Sequence, residues 1–322
     1  MFKKIHIIII GIIFISCASY FNKSDNLINY VDPFIGSGGH GHVFVGANVP
    51  FGGVQVGPTN FNKGWDWSSS YHHTDSIVKG FCHINVSGTG MSDLGELTIM
   101  PATGKLMTGA GTQNNHMAGY SSLYYKDKEH ASVGYYKVHL ERYDIDAELT
   151  ATERVGLHKY RFPKSDQSRV IIDLGEGSAD RPTETYLKKI NDTLFEGHRF
   201  SSGWARDQRE YFSLIISKPV DDFILYDRHK KFKGTERKGD YVKGFLEFST
   251  KTNEDIMVKM GISTVSSKNA LENMMIELPH WNFSKVKKDA EKKWENELSK
   301  IKIKTDDIKK KRVFYTAMYH TM

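Results

Sequence analysis

From about residue 130 to 262, apolar and polar residues alternate with period two, and no other feature constrains the fold as strongly. Tyr136, Val138 and Leu140 interleave with Lys137, His139 and Glu141, and Ile145, Ala147, Leu149 and Ala151 then alternate with polar neighbours. Successive side chains of a strand point to opposite faces, so each run buries one face and wets the other. Further runs occupy 155–162, 170–174, 211–216, 223–226, 242–248 and 256–262, with Gly, Asp, Asn or Lys-rich breaks between them. No helical periodicity intervenes, which excludes βαβ crossovers and predicts a large antiparallel β-sandwich. A chain of 322 residues can bury a core of that size and carry further elements beside it.

After Pro279 the period changes. Val286, Ala290, Trp294 and Leu298 recur every four residues in a Lys- and Glu-rich stretch, which predicts an amphipathic helix with Ser284 as its N-cap. A second helical stretch begins near Asp306 and turns apolar at Val313, Phe314, Tyr315, Ala317 and Met318 before reaching Met322 without a glycine cap. The expectation is a polypeptide that continues, with those last side chains lacking their partners here.

The net charge of +6 suggests nucleic acid only until it is located: residues 285–312 hold 12 Lys or Arg against 6 Asp or Glu. The rest is close to neutral, so a basic footprint for phosphate backbones is missing. Two cysteines, Cys17 and Cys82, supply neither a disulfide framework nor a zinc ribbon. Lys3 and Lys4 precede an aliphatic run over 5–15, too short for a membrane span and of the right length for a secretory leader. Phe14-Ile15-Ser16-Cys17 closes it and is similar to a bacterial lipobox, with Phe14 in place of the usual Leu; Cys17 would then carry the lipid. A plain signal peptide is the other reading. Cys82 is left single, and Phe81-Cys82-His83-Ile84 reads as a strand in which it packs as a small hydrophobe.

Residues 36–104 have a different texture, rich in Gly, His, Trp, Ser and Asp. Gly38-Gly39-His40-Gly41-His42 sets two imidazoles two residues apart, an incomplete metal set that can equally be a hydrogen-bonded turn. Gly64-Trp65-Asp66-Trp67 offers flat apolar faces for sugar C–H groups around a carboxylate that can accept from hydroxyls, or else an aromatic core corner. His83 and Ser87-Gly88-Thr89-Gly90-Met91-Ser92-Asp93-Leu94-Gly95-Glu96 form the third cluster, with Asp93 and Glu96 as candidate acids or as turn carboxylates. Neither a phosphate loop nor a Gly-x-Ser-x-Gly elbow occurs.

Taken in order, Tyr30-Val31-Asp32-Pro33-Phe34-Ile35-Gly36, the Gly38–His42 loop, Pro50-Phe51-Gly52, Gly64-Trp65-Asp66-Trp67, Gly80-Phe81-Cys82-His83, Ser87-Gly88-Thr89-Gly90 and Asp93-Leu94-Gly95 resemble the N-terminal domain of glycoside hydrolase family 92, exo-acting α-mannosidases. Ala151-Thr152-Glu153-Arg154-Val155-Gly156, Gly203-Trp204-Ala205 and Phe314-Tyr315-Thr316-Ala317-Met318-Tyr319-His320-Thr321 continue the match. The resemblance implies a mainly β fold: an antiparallel sandwich, linker helices, and the opening of an (α/α)6 barrel cut short here. Residues 1–17 would be the lipoprotein signal peptide, 18–27 a tether, 28–278 the sandwich, 279–304 a linker helix and 305–322 the first barrel helix.

It further implies an inverting exo-α-mannosidase, of the α-1,2 type, acting on mannose of N-glycans or mannan, with calcium and the general acid and base in the missing barrel. No catalytic or metal-binding residue is then expected in this chain, which alone should be inactive. Trp65, Asp66, Trp67, His83 and Asp93 are carried over as substrate-binding residues. The partner is a mannose-containing glycan, not nucleic acid; the membrane is reached only through the lipid at Cys17, on an exported outer-membrane lipoprotein facing periplasm or exterior. The competing function is a glycan-binding lipoprotein without hydrolysis.

Overall fold

The computed structural model of the protein describes residues 26–322, so the leader, the lipobox and Cys17 lie outside the described residues. The fold is the expected antiparallel β-sandwich with helices at its C-terminal end. One sheet of seven strands runs in the order Gly57–Thr59, Gly80–Cys82, Thr98–Thr103, Ser165–Asp173, Val242–Thr250, Asp222–Asp227, Lys230–Phe232. The other, of nine, runs Glu236–Gly239, Arg181–Lys189, Leu194–Ser202, Gln208–Ile216, Glu254–Ser263, Val155–Phe162, Ile145–Ala151, Tyr135–Leu140, Glu129–Ser132. One core takes side chains from both, among them Val170, Ile172 and Phe245 from the first and Tyr136, Leu149, Phe212 and Leu214 from the second.

The alternation seen in the sequence sets this register. Tyr136 lies opposite Leu149, Val138 opposite Ala147 and Leu140 opposite Ile145, all buried, while Lys137 and Glu148 share the other face. Cys82 ends its strand fully buried, with its thiol against Asn85, and burial pushes that thiol up to about 11, out of reach of reactive thiolate chemistry.

Two strands and one helix escape the sequence pattern. Arg181–Lys189 and Leu194–Ser202 form a long antiparallel pair, yet the inward positions of the second are Phe195, Gly197, Arg199 and Ser201, so the apolar alternation is broken by polar groups that the fold nevertheless buries. Helix α1 (Ser267–Glu277) falls inside the stretch read as sandwich; it buries only Ala270 and Met274, too thin a stripe to show a 3.6 period. It lies on the outer face of the nine-stranded sheet, where a Cβ at Gly261 would come 2.4 Å from the Ala270 carbonyl oxygen.

Helix α2 (Phe283–Leu298) buries Val286, Ala290, Trp294 and Leu298 as the spacing predicts, but Asn282 caps it, accepting from Lys285 N, two residues before the expected Ser284. Helix α3 (Ile308–His320) is capped by Asp307. Its expected orphan face divides: Val313 is 59% exposed and Ala317 is exposed, whereas Phe314 and Met318 pack partly against Leu27, Leu298 and Tyr315. The helix is docked through Tyr315, Thr316 and Tyr319, and Thr316 Oγ1 accepts from Asp32 N at 3.0 Å. Among the described residues no helix is long and apolar enough to cross a membrane.

Candidate functional site

Trp65–Trp67 form one turn of 3₁₀-helix that follows Gly64, whose φ of +111° no other residue adopts without strain. A three-residue turn rotates consecutive side chains apart, and the two indoles separate accordingly. Trp65 is 56% exposed. Trp67 is half-buried: its ring stacks on His72 at 4.3 Å, and its Nε1–H donates to Asp75 Oδ2 at 3.0 Å. Lys63 completes that inner corner with an ion pair to Asp75 at 2.8 Å. Of the two readings of the Trp-Asp-Trp stretch, the core corner therefore describes Trp67 and the open face describes Trp65.

Asp66 ties this turn to the histidine loop. Its Oδ1 accepts from His40 Nδ1–H at 2.6 Å, and His42 Nε2 stands 3.6 Å away. That hydrogen bond holds the Asp66 carboxyl below the usual carboxylate range. Both imidazoles also contact the Trp65 ring, His42 edge-on at 4.2 Å and His40 tilted at 5.2 Å. From the other side the Ser87–Asp93 loop closes in: a Cβ at Gly90 would come 2.4 Å from Trp65 Nε1, so only glycine permits that approach. The result is an indole held by two imidazoles and the Gly90 backbone yet 56% exposed, beside a carboxylate whose ionised form is favoured. The loops around it carry strain too, since His42, Ser70 and Leu94 all adopt left-handed φ.

His83 and Asp93 do not join this surface. His83 is fully buried between the sheets and offers no atom to a ligand, which corrects its placement among the sugar contacts. Its Nδ1–H donates to Leu97 O at 2.6 Å; His158 Nε2–H donates to His83 Nε2 at 2.9 Å, and Tyr160 Oη–H donates to His158 Nδ1 at 2.8 Å. With both rings neutral, every donor in this chain meets an acceptor. Burial accordingly holds His83 down at about 4 and His158 well below its ordinary value. Asp93 is 7% exposed, and its Oδ2 accepts from Gln208 Nε2 at 2.6 Å and Ala205 N at 3.2 Å, pinning the loop to the turn before Gln208–Ile216.

The neutral histidine pair has a measurable consequence. Unfolded histidines take up protons below about pH 6.5, whereas His83 does not until about 4 and burial holds His158 well below its ordinary value too, so the stability they contribute is present above 6.5 and is lost as the pH falls. Each contributes a slope of about 1.4 kcal/mol per pH unit in that window. His158→Gln, which keeps a donor toward His83, should flatten the stability profile by about 2 kcal/mol between pH 6.5 and 5 in urea titrations. Parallel wild-type and variant profiles would refute the neutral-pair assignment.

Sequence reasoning missed the buried ion cluster of Arg199 with Glu96 and Asp180, all three without accessible side-chain surface. The available signal was an arginine in an inward register of a strand. It also missed a 320 Å³ cavity at Trp204 and Glu210, which has no hydrogen-bonding or ionic partner among the described residues. Calcium prefers six to eight oxygen ligands. Among the described residues no group of three or more His, Cys, Asp or Glu is disposed to hold a metal, and the Asp66 carboxylate already serves imidazoles, so the residues here do not fit that ion.

The description "Glycosyl hydrolase family 92 N-terminal domain" matches residues 30–263, and "Glycosyl hydrolase family 92 catalytic domain" matches 269–322. A family 92 α-mannosidase of Bacteroides thetaiotaomicron, solved in complex with mannoimidazole, is 34% identical with a TM-score of 0.88, covering 92% of this chain and 40% of that one. A family 92 inverting mannosidase of Bacteroides thetaiotaomicron VPI-5482 shares the fold at 21% identity and a TM-score of 0.78, over 93% of this chain and 40% of that one. An uncharacterized secreted glycosidase of Arthroderma benhamiae is 24% identical over 340 residues, 92% of this chain and 41% of the relative. The chain thus spans about two fifths of the length of the relatives it matches.

Proposed function

The chain belongs to glycosyl hydrolase family 92, and from that membership we propose that it is the sandwich-bearing part of an exported exo-α-mannosidase of the α-1,2 type that releases mannose from N-glycans or mannan with inversion. The observation that carries the proposal is the open Trp65 face beside Asp66, whose carboxylate His40 keeps ionised. An indole face covers the C–H side of a pyranose, and a fixed carboxylate accepts from its hydroxyls. The 34% identity to a mannosidase that holds mannoimidazole supports the choice of sugar.

Inversion needs a general acid and a general base flanking the bond, far enough apart to admit a water. The carboxyls at this site and next to it are committed otherwise: Asp66 to His40, Asp75 to Lys63 and Trp67, and, off the surface, Asp93 to Gln208. In this proposal the acid, the base and the calcium therefore belong to residues outside these 322, and this chain contributes orientation of the sugar. Export is supported by the apolar run after Lys3 and Lys4 and by the secreted relative, and lipidation at Cys17 would hold the enzyme at the outer membrane.

The full-length protein should hydrolyse α-1,2-mannobiose in the presence of calcium, with β-mannose as the first anomer seen by proton NMR, while residues 1–322 alone give no turnover above a blank. First release of α-mannose would refute inversion. Saturable glycan binding without turnover by the full-length protein would establish the binding-module reading instead.

A further inference from the structure

Two cavities away from Trp65 are neighbours along one strand. The first, 320 Å³, is walled by Val86, Met91, Leu94, Trp204 and Gln208. The second, 470 Å³, is walled by Ile84, Glu210, Val265, Asn269 and Asn273. Gln208 and Glu210 stand two apart on Gln208–Ile216, and Ile84 and Val86 stand two apart on a segment that lines both. Strand residues two apart share a face at a spacing of about 7 Å. The two hollows therefore lie next to each other along this strand and this segment.

The hollows differ in chemistry. The first is apolar and carries the Trp204 indole, 74% exposed. In the second, the half-buried Glu210 carboxyl has no hydrogen-bonding or ionic partner among the described residues, and burial, then the charge of Glu96, pushes it up to about 7. Asn273 spends its amide N–H on Ile262 O at 2.9 Å, which leaves its amide oxygen to accept. An open indole and an unsatisfied carboxyl in adjacent hollows are both costly without a ligand. The loop that presses Gly90 on Trp65 also supplies Thr89 and Met91 to the first hollow, so one loop borders both the Trp65 site and this hollow.

We infer that the two hollows act as one groove that binds the extended part of an oligosaccharide, with one sugar ring stacked on Trp204 and the hydroxyls of another received by Glu210 and Asn273. The inference rests on the mannosidase reading and adds its substrate class: a chain longer than a disaccharide. The test compares kcat/KM of the full-length wild type, Trp204→Ala and Glu210→Gln on α-mannobiose and on an α-mannotetraose. Each variant should lose about tenfold on the tetraose, the value of one good aromatic or hydrogen-bonded contact, and stay within about twofold on the disaccharide. Equal losses on both substrates, or a loss on neither, overturn the groove and assign the surface to packing against protein. If the wild type hydrolyses neither sugar, the mannosidase reading fails by itself. Calorimetric titration with the tetraose then decides the groove: binding that Trp204→Ala abolishes upholds it, and binding that the variant leaves intact, or no binding at all, refutes it.

Discussion

Replacing Arg199 with methionine should cost about 3–5 kcal/mol of stability, because it strands two buried carboxyls. The guanidinium bonds Glu96 Oε2 and Asp180 Oδ2 through one nitrogen and donates from Nε to Leu174 O at 3.0 Å, so it joins the two sheets through their polar interior. Burial pushes Glu96 up and Asp180 adds to that push, while Arg199 opposes both. Without the guanidinium the carboxyls escape only by taking up protons. Groups whose folded pKa is raised above the unfolded value stabilise at low pH and lose that contribution as the pH rises through the folded value. The deficit of Arg199→Met should therefore be larger at pH 8 than at pH 5. Combining it with Glu96→Gln and Asp180→Asn should recover much of the loss, since neutral groups need no counter-ion. A single-variant deficit below about 1 kcal/mol in urea titrations would refute this account of the cluster.

Trp294→Ala is the second large effect, at about 3–5 kcal/mol, from a fully buried indole whose cavity little can fill. Its position gives the loss a location. Nε1–H donates to Asn48 O at 2.9 Å on the sandwich side, and its ring meets Tyr319 of α3 at 4.6 Å, whose hydroxyl donates to Asn48 Oδ1 at 3.1 Å. One side chain thus clamps both terminal helices to a single asparagine. Hydrogen exchange should show α2 and α3 opening before the sheets in this variant, and Trp294→Phe should lose less, chiefly the hydrogen bond, about 1 kcal/mol. Uniform exchange across sheets and helices would contradict a clamp.

What was legible in the sequence follows from how strongly each element obeys a period. Ile145–Ala151 and Val155–Phe162 alternate cleanly or run apolar, and they pair side by side in the interior of the nine-stranded sheet. Leu194–Ser202 did not show itself because Arg199 and Ser201 fill inward positions, which only the tertiary pairing with Glu96 makes tolerable. At the candidate site, spacing singled out the Trp-Asp-Trp stretch but could not orient it. Trp65 and Trp67 are equivalent in a motif; only the turn geometry and the Asp75 hydrogen bond send one outward and the other in. His83 matched a family motif, yet its partner His158 lies 75 residues away, a contact that no local pattern reveals.

The division of labour between those two tryptophans is the claim on which the account of the site rests, and melting temperature measured together with kcat/KM in the full-length protein tests it most directly. Trp65→Ala should leave the melting temperature nearly unchanged and lower kcat/KM on α-mannosides roughly ten- to hundred-fold, the worth of about 1.4–2.8 kcal/mol of lost sugar contact. Trp67→Ala should melt several degrees early, having lost its His72 and Asp75 contacts. A Trp65→Ala enzyme that melts early and keeps normal kcat/KM would contradict the account and return Trp65 to the core.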